Sequence, residues 1–160
     1  GGYAAMILQI CVAMVGTVSF SLLFGVPRVF YPWCGAIGGA GWAVYVLASG
    51  RWGIVGSSFA ATVVVIFLSR ASAVINRCPV TIFLISGIFP LVPGAGIYWT
   101  VYYLVTDQLG LAVHTGYAAV KAAVAIVLGI VAVFELPQGM FAWTAGKLRR
   151  IPGFCSRSRG

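Results

Sequence analysis

Few residues in this chain can do chemistry, and their types and spacing limit what that chemistry is. The 160 residues include two acids, Asp107 and Glu135, one histidine, His114, and four cysteines, Cys11, Cys34, Cys78 and Cys155. General acid–base catalysis needs ionisable groups that converge on one reacting centre, and here the two acids are separated by about a bilayer's thickness. The cysteines show no CxxC or other metal-ligand spacing, and two of them fall on the side expected to face the reducing cytosol. His114 sits in a connection between apolar runs, where a solvated role outweighs a ligand role. No nucleophile–base pair or metal set can be assembled, so neither an enzyme nor a cofactor is expected.

What remains is backbone chemistry in one apolar segment, Ser86-Gly87-Ile88-Phe89-Pro90-Leu91-Val92-Pro93-Gly94-Ala95-Gly96-Ile97-Tyr98. Proline has no N–H to give to the preceding turn and clashes with it. Pro90 is therefore expected to free the carbonyl of Ser86, and Pro93 that of Phe89. Gly94 and Gly96 permit close backbone approach. Within a membrane such backbone survives only where it is buried in protein or lines a polar cavity. Two half-helices meeting in mid-membrane would offer carbonyls, suited to a cation or proton-linked water, opposite orphan N–H groups suited to a carboxylate. Broken helices of this kind are a recurring binding element of secondary transporters. A plain proline kink packed by its neighbours is the structural alternative.

The elements that must position this segment follow from composition. The chain is 61% apolar and 8% charged, with ten Lys/Arg against two acids and a formal charge of +8. That is about a third of the charge expected for a soluble domain, and disorder is excluded by the same hydrophobicity. The positive residues are dispersed between long apolar blocks, which argues against nucleic acid as a partner. An all-α polytopic membrane protein is the class left standing. Dividing the chain at its charges gives five spans, at about 3–26, 33–49, 52–69, 80–106 and 117–136, with the fourth discontinuous at Pro90-Pro93-Gly94 and a basic tail over 146–160. The whole forms a single membrane domain over residues 1–160.

Short loops report orientation through their Lys/Arg content. With the N-terminus outside and the C-terminus inside, the inner side collects Arg28, Arg70, Arg77, Lys147, Arg149, Arg150, Arg157 and Arg159, and the outer loops only Arg51. Trp33, Trp42, Trp52, Tyr98, Trp99, Tyr102, Tyr103, Tyr117 and Trp143 mostly fall near span ends, as an interfacial aromatic belt. The basic tail would meet anionic headgroups of the bilayer.

Two charges lie in or beside the fifth span. Lys121, about four residues inside it, either snorkels to the headgroups or faces an outer vestibule and meets Asp107 or an anionic substrate. Glu135 shares its helix face but stands roughly 21 Å further along, as a proton-coupling carboxylate or an inner-interface acid capped by Arg or Lys. Asn76, Asp107 and Glu135 are the candidates for coupling or interface roles. Gly35, Gly38 and Gly39 in the second span form a small-residue face for helix packing, within the chain or against a partner.

Pro79, the run Pro90-Leu91-Val92-Pro93-Gly94 and Tyr98 together resemble the threonine/serine exporter family in its small-subunit type. The likeness extends to length, to the five hydrophobic runs and to a lysine early in the last span, and is strongest from about Asn76 to Tyr103. It implies export of small carboxylate metabolites: threonine and serine for fused members, a dicarboxylate such as succinate for the split type. In the split type a larger multi-span subunit accompanies the small one in the bacterial cytoplasmic (inner) membrane. On that reading Ser86, Phe89, Pro90, Pro93, Gly94, Gly96, Tyr98 and Lys121 line the substrate path. The competing expectation from a different class is a non-transporting membrane scaffold or assembly subunit, in which the Pro/Gly break only shapes an interface.

Overall fold

The computed structural model describes residues 2–135, and those residues form helices and their connections, with no strand among them. Five helices follow in order: α1 (Gly2–Leu23), α2 (Tyr31–Asn76), α3 (Val80–Ile88), α4 (Gly94–Val105) and α5 (Leu109–Phe134), with single 3-10 turns at Arg28–Phe30 and Phe89–Leu91. Three helical stretches are long and apolar enough to cross a membrane, or four when the bent pair α3–α4 is taken as one broken span. Trp143, Cys155, the basic residues Lys147, Arg149, Arg150, Arg157 and Arg159, and the tail over 146–160 lie outside the described residues.

The 46 residues of α2 would make a rod of roughly 69 Å, about twice the hydrocarbon thickness. It is not a rod. Gly53 takes φ 64° and ψ −171°, a left-handed excursion open to glycine and costly for residues with a Cβ. A Cβ on Gly41 would collide with the side chain of Val65, and Gly87 lies against both Ile37 and Val65. Along a straight helix Gly41 and Val65 would stand roughly 36 Å apart. The halves of α2 are therefore folded back on each other about Gly53 as an antiparallel hairpin. The two apolar runs expected at 33–49 and 52–69 thus join through one non-helical residue, and the second continues past Arg70 to Asn76. Helix α2 ends where Arg77 turns left-handed, φ 52°, and the N–H of Cys78 reaches back to Ala73 O at 3.1 Å.

This hairpin is the centre of the bundle. Against its first half lies α1: added Cβ atoms on Gly35, Gly38 and Gly39 would meet Val18, Thr17 and Met14 of that helix. Small residues here let two backbones approach closely, which is how helices associate where lipid offers no hydrophobic drive. Wedged against the hairpin, α3 has a fully buried Phe83 that meets Phe30 edge to face at 5.5 Å between centroids. The last part of α5 packs on the second half of α2, where Gly129 seats on Thr62 and Val133 clusters with Ile66.

The buried hydroxyls in these seams bond to their own helices. Thr17, Ser21, Thr62 and Ser69 each donate to the carbonyl four residues back, at 2.7–2.8 Å. They serve as small, self-satisfied packing residues rather than as a polar lining.

Helix α4 is different. It buries none of its residues and rests mainly on the first half of α5. Gly96 lies on Ala119, Gly116 on Thr100, and Thr100 Oγ1 donates to Gly96 O at 2.6 Å and lies 3.2 Å from Thr115 Oγ1.

Candidate functional site

The break between α3 and α4 follows from its two prolines. Past Ile88 the chain tightens into the 3-10 turn Phe89–Leu91, extends at Val92, turns at Pro93 (φ −75°, ψ 50°) and restarts as α4, with the axis bent by 46°. The Phe89 carbonyl, expected to be free, instead accepts from the Val92 N–H at 3.2 Å. The 3-10 turn moves the donor one residue nearer, so the orphan created by Pro93 is recaptured. On the α4 side the Gly94 N–H donates to Val92 O at 2.7 Å, and the first helical bond is Ile97 N–H to Pro93 O at 3.1 Å. No side chain caps this start, because its N-cap residue is Pro93.

The two flanks of the break have opposite surroundings. On the α3 flank Ser86 is fully buried and its hydroxyl donates to Ile82 O at 3.3 Å. Phe89 stacks on Phe20 at 3.8 Å between centroids and tilts against Phe24 at 5.6 Å. On the α4 flank a Cβ on Gly94 would find nothing within 4 Å, and Ala95, Ile97 and Tyr98 are exposed. Pro90, Pro93 and Gly96 are half-buried between the two. From Tyr98 a run of rings climbs the helix, with Trp99 edge-on to Tyr98 at 5.5 Å and stacked with Tyr103 at 5.8 Å.

Lys121 does not join this group within one chain. It follows Ala119, the residue on which Gly96 sits, by two positions, a rotation of roughly 200° about α5. Its exposed side chain is thus on the far side of α5 from the break, with the ammonium 4.5 Å from the centre of the Tyr117 ring. The helix begins at Leu109, eight residues before Tyr117, so Lys121 lies near the middle of α5. Twelve residues, roughly 18 Å, separate it from the start of the helix and a similar length from its end. Snorkelling serves lysines near helix ends; measured from the ends of α5, Lys121 lies beyond the reach of its four-carbon stem. A lone cation at the middle of a span costs about 3 kcal/mol on insertion scales.

The other candidates are dispersed. Asp107 turns the corner from α4 to α5 with φ 56°, a left-handed conformation that short polar residues tolerate, and is too far from Lys121 to pair with it. Asn76 bonds through Nδ2 to Ser72 O at 2.8 Å in the last turn of α2. Glu135 is the exposed C-cap of α5.

Two residues were not singled out from the sequence. Arg70, treated as a loop charge, lies inside α2 and is 7% exposed, with Nη1 donating to Val133 O at 2.6 Å and the guanidinium over Phe134 at 5.5 Å. It places a cation at the carbonyl end of α5, where the helix dipole favours one. The apolar run Ala71–Ile75 that follows it was the available signal. Trp42, assigned to the aromatic belt, stacks on Tyr45 at 5.2 Å, and its Nε1 is the buried side-chain nitrogen or oxygen left without a partner among the described residues. Its place in the middle of an apolar run, away from either end, marked it. In the connection after α2, burial pushes the Cys78 thiol up from its ordinary pKa, and the neighbouring Cys34 adds to the shift.

Apolar helices packed through small residues, exposed hydrophobic flanks and a helix pair broken at two prolines define an all-helical membrane protein. A family described as "Threonine/Serine exporter, ThrE" matches residues 9–135, and the chain belongs to that family. No curated protein and no solved structure matches it.

Proposed function

We propose that this chain is the small membrane subunit of a secondary exporter of small carboxylate metabolites, threonine and serine or a dicarboxylate such as succinate, working with a larger multi-span partner in the bacterial cytoplasmic membrane. The observation that carries the reading is the open flank of the break. Helix α4 starts without a side-chain cap at an exposed Gly94, so the positive end of its dipole faces outward from the chain's own bundle. A substrate carboxylate suits that end, and the path it follows is completed by the partner subunit. The five-span reading counts α1, each half of α2, the broken pair α3–α4, and α5. The distribution of Lys/Arg orients these with the N-terminus outside and the C-terminus inside. Transport then proceeds by alternating access around the mid-membrane break, coupled to protons.

Radiolabelled threonine, serine and succinate efflux, measured in cells with and without this chain and its partner, tests the reading. Chain-dependent efflux of at least one is expected, abolished by Pro93→Ala with Gly94→Leu. Unchanged efflux of all three removes the proposal.

The packing of Phe89 on Phe20 and Phe24 favours a second reading, a non-transporting assembly subunit whose break only shapes an interface. Full activity of the Pro93/Gly94 double variant supports that reading.

A further inference from the structure

Polar side chains on α5 follow a pattern that the bundle does not use. His114, Lys121 and Glu135 fall on one seven-residue register, whose remaining position is the apolar Leu128, and with Tyr117 these residues occupy a stripe roughly 60° wide. All five are exposed. The residues through which α5 packs, among them Ala119, Ala122, Ile126, Gly129 and Val133, are centred roughly 130° round the helix. Among the described residues the stripe is therefore an unpartnered face, with a cation near the middle of the helix.

The Tyr117 ring meets that cation, but neither acid of the chain does. Its two acids, Asp107 and Glu135, each lie fourteen residues from Lys121, roughly 21 Å along the axis in opposite directions. A second copy does not answer it either. Two copies inserted the same way and facing each other through this stripe set lysine beside lysine. Two copies inserted oppositely, with a two-fold axis at Leu128, would set each Lys121 against the other copy's Glu135. Opposite insertion, however, runs against the strong one-sided distribution of Lys/Arg.

We propose that this stripe is the docking face for a transmembrane helix of a different membrane protein, one that presents an Asp or Glu carboxylate at the depth of Lys121. Charge complementarity selects the partner: an apolar helix fits the exposed valines and leucines that flank the stripe, and only an acid at mid-depth neutralises the ammonium. Tyr117 holds that ammonium over its ring within the same face. The proposal rests on the reading of this chain as one subunit of a larger carrier.

The test uses the full chain in the membranes of the cells that make it, treated with the lipid-soluble reagent dicyclohexylcarbodiimide. The reagent activates a buried carboxylate, the Lys121 amine attacks it, an amide forms, and dicyclohexylurea leaves. Digestion and mass spectrometry are expected to find Lys121 joined to an Asp or Glu in an apolar span of another protein. Lys121→Arg should lose the cross-link but keep co-purification of that protein, whereas Lys121→Glu should lose both. Lys121 joined to Asp107 or Glu135 of a second copy, or to a lipid carboxylate, overturns the proposal. So does an unmodified Lys121 in membranes where the reagent has modified Glu135. None of these readouts depends on transport, so failure of the efflux test and failure of this one are separable.

Discussion

The α2 hairpin with its neighbours and the α4–α5 arm are built from the same kinds of residue and are used in opposite ways. In the hairpin and its neighbours, Gly38, Gly41 and Gly87 are seats, in contact with Thr17, Val65 and Ile37, and no Cβ fits. In the arm, Gly96 and Gly116 seat α4 on α5, but Gly94 and Gly110 face open space and α4 buries nothing. The hairpin's Ser57, Thr62 and Ser69 are fully buried and bonded to their own backbone, whereas the aromatic rings of α4 stack on one another and remain largely exposed. A small residue that packs nothing in its own chain is available to something outside it. The hairpin region therefore holds the chain together, and the arm carries the open surfaces on which the proposed substrate path and docking face rest.

Placing the same substitution in both regions is the sharpest way to break that contrast. Gly41→Leu forces a side chain into Val65 and should cost about 3 kcal/mol or prevent folding, read as loss of the monodisperse species after heating in detergent. Gly94→Leu should change stability by no more than about 0.5 kcal/mol in the same assay. Equal destabilisation by both would dissolve the distinction. Arg70→Met removes a buried charged donor from the end of α5 and should cost about 2 kcal/mol, with Arg70→Lys intermediate. Thr100→Val deletes the hydroxyl contact between α4 and α5 and should cost about 1 kcal/mol, loosening the arm without unfolding the bundle. The smallest effect is chemical. The Cys78 thiol, held above its ordinary pKa by burial, stays protonated at pH 7–8 and should react with a maleimide more slowly than a free cysteine, catching up only as pH rises further.

Much of this architecture was legible as composition and spacing. The apolar blocks, the small-residue second run and the break at Pro90 and Pro93 all rest on rules that act within a few residues. What escaped reading depends on distance. One glycine, Gly53, joins two runs that charge alone had separated, because a single left-handed residue suffices to reverse a helix. Arg70 looked like a loop charge because charges were used as span boundaries, yet the end of α5 satisfies it inside the bundle. The helix that carries Lys121 begins eight residues before Tyr117, because the stretch from Leu109 to Gly116 holds no proline to stop it. The candidate site shows the same limit: its residues are close in sequence or share a helix, but which face each one presents is decided by neighbours. Ser86 and Phe89 turn into the bundle, Gly94 and Tyr98 turn out of it, and Lys121 lies on the far side of α5.

The central claim, that the α4 flank of the break is open to a substrate path while the α3 flank is packed, is tested most directly by thiol accessibility. Single cysteines at Gly94, Ala95 and Tyr98, in a chain otherwise free of cysteine, should be modified by a charged, membrane-impermeant methanethiosulfonate in intact membranes. Cysteines at Ala61 and Ser86 should remain unmodified under the same conditions. Protection at Gly94, Ala95 and Tyr98 equal to that at Ala61 would contradict the account and leave the break as a packed kink.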